Sequence, residues 1–286
     1  MTTPIFIVGA RRSGTTWLGN LVAQHSRVAG LQGGAGGIYE TAYFSHLDGK
    51  YGDLRLPNNL IPFVEMFANS TFFLRSGVCK EDLYRRKPAN YAELFRCFMD
   101  RIAEARKTDQ WVEKTPAHAL HLERIARYYP DAKFIAIQRR MLDQVKSSVQ
   151  LNAMKQGVRG RRKASRATLL AKVFGYNAYN RHIRVFAVRH PERILVVSYE
   201  ELKAAPARVM QRVCEFLQLP FEEQMLAQRH QRPSPAREAE RTRLRWLRHG
   251  ARRRAARPPL RRRHPAPRRT SFSRTPRVAA ARCASS

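Results

Sequence analysis

Between the apolar run Ile5–Val8 and the first candidate helix stands Gly9-Ala-Arg-Arg-Ser-Gly14-Thr15-Thr16. A glycine at either end lets the backbone curl. Its N–H groups can then face an anion, with the positive end of a helix behind them. The basic residues, the serine and the two threonines are all placed for anion contact. The spacing is G-x-x-x-x-G, which in nucleotide-binding loops continues with a lysine that reaches the β- and γ-phosphates. That position here is Thr15, and the cation stands two places before the glycine, at Arg12. A kinase using ATP and Mg²⁺ is therefore disfavoured. A ligand with one 5′-phosphate and an attached anionic group fits better.

A second cationic site follows the run Lys133-Phe-Ile-Ala-Ile-Gln138, at Arg139. A guanidinium at the carboxyl end of a strand can hold a phosphate through two parallel bonds. Ser147 adds a hydroxyl from the first turns of the next helix, with Ser148 as the alternative. Strand carboxyl ends are where open α/β sheets place their ligands.

These two segments resemble the cofactor motifs of sulfotransferases that use 3′-phosphoadenosine-5′-phosphosulfate (PAPS). GARRSGTTWL is similar to the family's 5′-phosphosulfate loop, a basic residue followed by Ser-Gly-Thr-Thr. By that resemblance the loop amides, Gly14 among them, and the hydroxyls of Ser13, Thr15 and Thr16 hold the 5′-phosphate. Arg12 stabilises charge on the leaving group, an electrostatic role. Trp17 lies near the adenine or is simply a core tryptophan. Arg139 and Ser147 match the family's 3′-phosphate motif, an Arg with a Ser eight residues later. Arg140-Met141 stands where the family has Asp-Pro, which alters the turn. Glu113-Lys-Thr-Pro116 resembles a further family segment; Lys114 is read as a surface lysine, the alternative being contact with sulfate or substrate. Tyr199-Glu-Glu-Leu resembles a segment whose tyrosine either meets the adenosine or only packs. The resemblance spans residues 4–226 and implies PAPS as co-substrate, with no metal.

Transfer to a hydroxyl requires a group that takes its proton. The candidates are Glu40, His46 and, less well, His25. Glu40 is favoured: small residues precede it and aromatics follow it, as suits a substrate cleft. It resembles the glutamate of the tyrosylprotein-type branch, whereas His46 resembles the histidine of the cytosolic branch.

The elements needed to position these groups can be read from periodicity. Residues 4–8, 133–138 and 194–198 are unbroken apolar runs, as in parallel strands covered on both faces; 111–112 is a weaker strand. Helices are expected at 15–25, 63–75, 90–106, 117–129, 142–154, 168–189 and 207–217, and a loop or lid at 30–62. Short strands alternating with helices predict an α/β three-layer sandwich around a central parallel sheet, with the phosphate loop at a strand end.

The chain has 286 residues and a net charge of +32. From Arg229 onward stand 19 Arg, no Lys and two Glu, so residues 1–228, the expected sulfotransferase domain, carry +15. That charge suits an anionic ligand. The segment 229–286 reads as a disordered Arg/Pro-rich tail. It is either a basic arm for nucleic acid or another polyanion, or, the favoured reading, a tail translated out of frame. No basic residue in it can be assigned to the loop that closes over the 3′-phosphate in relatives, so weak cofactor binding is expected. In the basic loop 156–166, the stretch 159–166 hints at an anionic acceptor, and solvated charge explains it equally. The four cysteines show no metal spacing. No apolar run reaches the roughly 18 residues of a membrane span. Residues 5–10 are too short for a secretory core of about 7–15 residues, so a cytoplasmic protein is expected. The acceptor is a hydroxyl of a small molecule, carbohydrate or lipid. A kinase with a variant loop and a polyanion-binding protein are the competing functions.

Overall fold

Ile5, Phe6, Ile7 and Val8 are all wholly buried. They lie in β1 (Thr3–Gly9), and successive side chains of a strand point to opposite faces. Phe6 and Val8 belong to one apolar cluster, Ile5 and Ile7 to another. A strand buried on both faces must be central. The computed structural model, which describes residues 2–33, 37–155 and 165–227, places it there. The sheet has five strands in the order β2-β3-β1-β4-β5, with β2 at Val28–Gly30, β3 at Gln110–Lys114, β4 at Lys133–Gln138 and β5 at Ile194–Ser198. All neighbouring pairs are parallel.

The helices are α1 (Thr15–Val22), α2 (Tyr43–His46), α3 (Pro57–Ala68), α4 (Thr71–Ser76), α5 (Lys80–Arg86), α6 (Tyr91–Arg106), α7 (Leu122–Tyr128), α8 (Met141–Lys155), α9 (Arg166–Arg189), α10 (Tyr199–Ala204) and α11 (Pro206–Leu217). One face of the sheet carries α1 and α11, through Leu18, Leu21, Val209, Val213 and Leu217. The other carries α2, α3, α4, α6, α7 and α9 around Phe6, Trp111 and Phe134. These are the three layers expected from the sequence.

Pairing registers set the geometry of the functional edge. Lys114 lies against Ile7, Ile137 against Gly9 and Ser198 against Gln138. The carboxyl ends of β1, β3, β4 and β5 therefore emerge side by side. Strand order runs outward in both directions from β1, and such a reversal opens a crevice between β1 and β4.

Several local readings are corrected. The weak strand at 111–112 is β3, a full member of the sheet. The expected loop at 30–62 holds α2, the start of α3 and an antiparallel bridge between Gln32 and Ile38. The helix expected at 63–75 is two, because Ser70 accepts the Phe73 N–H and caps a new start. The helix expected at 117–129 is a 3₁₀ turn (Pro116–Leu120) followed by α7. The tail 229–286 and most of the basic loop, residues 156–164, lie outside the described residues. Cys79, Cys97 and Cys214 are free. No helix among the described residues is long and apolar enough to cross a membrane.

Candidate active site

The loop between β1 and α1 is a strained turn. Arg12 has φ 75 and Gly14 has φ 102. A side chain that visits the left-handed region pays for it, and such residues collect at functional sites. The turn is closed by the Ser13 N–H donating to the Ala10 carbonyl at 3.1 Å, and the Leu18 N–H reaches Gly14. From α8, Gln144 Nε2 donates to the Arg11 carbonyl. Gly14 has no room for a side chain. An added Cβ would lie 2.5 Å from Tyr199 Cδ2. Gly14→Ala is therefore expected to destabilise the protein by at least about 1–2 kcal/mol, the left-handed penalty alone, in urea unfolding. A change below about 0.5 kcal/mol would mean that the loop relaxes freely.

The two cationic motifs meet here. Arg12 Nε donates to Ser147 Oγ at 3.1 Å across 135 positions of sequence. Arg139 Nη1 donates to the Arg12 carbonyl at 3.3 Å, and its guanidinium lies 4.3 Å from the centre of the Tyr199 ring. Trp17 meets the same ring edge to face at 6.1 Å. Ser147 is half-buried and faces the loop, whereas Ser148 is buried. Ser13 Oγ and Arg139 Nε are among the buried side-chain atoms that find no hydrogen-bond partner in the described residues. Both can donate, and buried polar groups are nearly always paired, so both are free to meet an oxygen of a ligand. The residues present thus fit an anion with more than one phosphate-like group.

The altered turn after β4 has its own support. The Arg140 N–H donates to Glu200 Oε1 at 3.1 Å, and the Tyr176 hydroxyl donates to the Arg139 carbonyl at 2.9 Å. Burial pushes the Glu200 carboxyl up. The bond from the Arg140 N–H, with that from Ser198, outweighs it and holds the group below its ordinary value. Glu200 and Tyr176 thus grip the turn in which the Asp and Pro are missing.

Lys114 is not a surface lysine. It is 2% exposed, and its ammonium makes two contacts. One is with Thr16 Oγ1 at 3.3 Å, the other with Glu40 Oε1 at 2.5 Å. Lys114 therefore ties the favoured base to the phosphate loop. Glu40 itself is exposed and faces solvent on its other side. His46, at the end of α2, is exposed; its Nδ1 contacts Ser45 Oγ, and among the described residues no hydrogen bond links it to the loop. His25 is buried, with Nε2 bonded to the Pro220 carbonyl at 2.8 Å and Nδ1 accepting the Arg27 N–H. Nε2 thus ties residues 219–226 to the end of α1 and Nδ1 holds the turn that follows it, so both ring nitrogens of His25 are engaged in structure.

One histidine escaped the sequence reading. His118 is wholly buried beside Glu113, Nδ1 to Oε2 at 2.8 Å. Burial pushes the Glu113 carboxyl up, but His118, Thr115 and Thr41 together hold it below its ordinary value. The signal was the short spacing Glu113-x₄-His118 across a strand end, which a solvent-facing reading of Glu113-Lys114 concealed.

The sequence profile of the sulfotransferase family matches residues 4–223. Among solved structures, the sulfotransferase domain from the curacin biosynthetic pathway superposes with a TM-score of 0.54 at 20% identity, covering 84% of this chain and 82% of that one. The sulfotransferase domain of the olefin synthase from Synechococcus PCC 7002 gives a TM-score of 0.55 at 18% identity, covering 79% and 76%. At such identities the likeness concerns the fold. No curated protein matches the chain in sequence. The profile takes in all five strands, the Gly9–Thr16 loop and the Arg139–Ser147 pair, and the chain belongs to the sulfotransferase family.

Proposed function

We propose that this protein transfers a sulfuryl group from PAPS to a hydroxyl of a small-molecule, carbohydrate or lipid acceptor. The observation that carries the reading is the convergence of Arg12, Ser147 and Arg139 at one strand edge. A single phosphate would need only one of the two cations. PAPS, when bound, supplies the activated sulfuryl group and leaves as the 3′,5′-bisphosphate.

The loop amides, with Ser13, Gly14, Thr15 and Thr16, hold the 5′-phosphate side. Arg139 and Ser147 hold the 3′-phosphate. Trp17 and Tyr199, already in contact, flank the adenosine. Arg12 neutralises charge at the leaving oxygen, where a preorganised cation contributes most. Glu40 takes the acceptor's proton; its carboxylate stands at the exposed end of the Lys114 contact, where a hydroxyl can reach it. His46 remains the second choice. Cys79, Cys97 and Cys214, free among the described residues, suit a cytoplasmic setting.

The test is transfer of labelled sulfate from PAPS to a panel of a phenol, an alkanol, a monosaccharide and a sterol. Incorporation into at least one acceptor, lost in Glu40→Ala, is expected. Label transferred from γ-labelled ATP instead would establish the kinase. Retention on nucleic acid that disappears on truncation at residue 228, with no transfer from PAPS, would establish the polyanion-binding protein.

A further inference from the structure

The turn that follows Glu40 is held more firmly than a surface turn requires. Ala42 sits at φ 52, a conformation that persists for a residue with a Cβ only where its surroundings over-determine it. Those surroundings are the end of β3 and the 3₁₀ turn behind it. Glu113 Oε1 accepts from the Thr41 N–H at 3.4 Å and from Thr41 Oγ1 at 2.9 Å. Thr115 Oγ1 accepts the Ala42 N–H at 3.1 Å and donates to Glu113 Oε1 at 2.6 Å. His118 Nε2 accepts the Phe44 N–H at 3.2 Å. With Nε2 accepting, the ring's proton lies on Nδ1 and is donated to Glu113 Oε2.

Glu113 is 1% exposed and His118 is 0% exposed. Among the described residues their side-chain hydrogen bonds go to the 41–44 turn, to Thr115 and to each other. A buried carboxylate is expensive to maintain, and apolar packing would hold a turn in place as well. A satisfied polar network adds a single fixed orientation. The same strand end presents Lys114 to the Glu40 carboxylate. One short segment, residues 113–118, thus fixes both the backbone that carries Glu40 and the cation that faces it.

We propose that Glu113 and His118 are positioning residues for Glu40, acting through the 41–44 turn. The inference rests on the reading of Glu40 as the base. Neither residue meets the acceptor or the cofactor. Their effect falls on where the Glu40 carboxylate stands.

The experiment uses the full chain and the variants E113Q and T41V, each alone and combined with E40Q. Hydrogen exchange of residues 39–46, kcat with PAPS and the best acceptor of the panel, and the Kd for the desulfonated cofactor are measured. E113Q is expected to speed exchange at the 41–44 amides and to lower kcat about 100-fold, the scale of a 1 Å misplacement. The KM for PAPS and the cofactor Kd stay within about twofold. In the E40Q background E113Q costs nothing further, because its effect acts only through Glu40. T41V removes one donor without changing shape; it shows the same pattern at about tenfold and carries the test if E113Q fails to fold. Equal losses of rate in both backgrounds would overturn the proposal. So would a fall in cofactor affinity in step with kcat, or exchange that does not respond. A parent chain that binds and transfers nothing, with exchange still responding, overturns the sulfotransfer reading while supporting the grip on the Glu40 turn.

Discussion

Alanine at position 12 is expected to lower the single-turnover rate of sulfuryl transfer by about 10²–10³, the usual cost of removing one preorganised charge-stabilising donor. Arg12 is half-buried, sits in a strained conformation and is already aimed by Ser147. It needs little reorganisation at the moment of reaction, and that makes its charge effective. The loop amides and Arg139 survive the change, so the Kd for the desulfonated cofactor should move much less than the rate. Arg12→Lys keeps the charge and loses the fork. Its Nε bond to Ser147 cannot be reproduced, and a loss of about tenfold is expected. A rate for Arg12→Ala within threefold of the parent's, measured at saturating PAPS, would remove Arg12 from the chemistry.

The largest effect on stability should come from Trp111→Ala. Trp111 is wholly buried on β3 and meets Phe6 at 5.5 Å, Phe95 at 6.0 Å and Tyr129 at 6.0 Å. Its Nε1 donates to Asp100 at 3.2 Å. Truncating a buried aromatic of this size costs about 3–5 kcal/mol, the lost transfer energy together with the cavity left behind. For a domain of this length that is a fall of about 6–20 °C in the melting midpoint. A fall below about 3 °C would show that the surrounding rings close the space. Since β3 ends in Glu113 and Lys114, cofactor-dependent activity should fail at lower temperature in step with the melt.

The apolar strands were legible from their unbroken runs: β1 and β4 carry them because both faces are buried, whereas β5, an edge strand with Val196 exposed, keeps the run without that burial. β3 does not, since its last residues are Glu113 and Lys114. Both are buried, and both are matched by groups distant in sequence: Thr41, Glu40 and Thr16. Read alone, two charges in a row mean solvent. β2 is three residues long and offers too few positions for any period. In the site, the Arg12 and Arg139 segments were legible as motifs because each is local in sequence. His118 and the burial of Lys114 were not, since their meaning depends on the 41–44 turn some seventy positions away. The turn at Arg140-Met141, which lacks the familiar Asp-Pro, was marked as a departure. Glu200 and Tyr176, which support it, come from α10, just past β5, and from α9.

The central place of β1 has a consequence for how the chain is made. β1 is synthesised before the other four strands, yet its neighbours are Gln110–Lys114 and Lys133–Gln138. At a synthesis rate of roughly 5–20 residues per second, an apolar strand that leaves the ribosome must wait on the order of 5–20 s for its first partner. During that interval the five residues Pro4–Val8 have no sheet to join. The earliest strand of the sheet thus waits longest for a neighbour, and the phosphate loop attached to it meets Ser147 and Tyr199 only after both partner strands have been made.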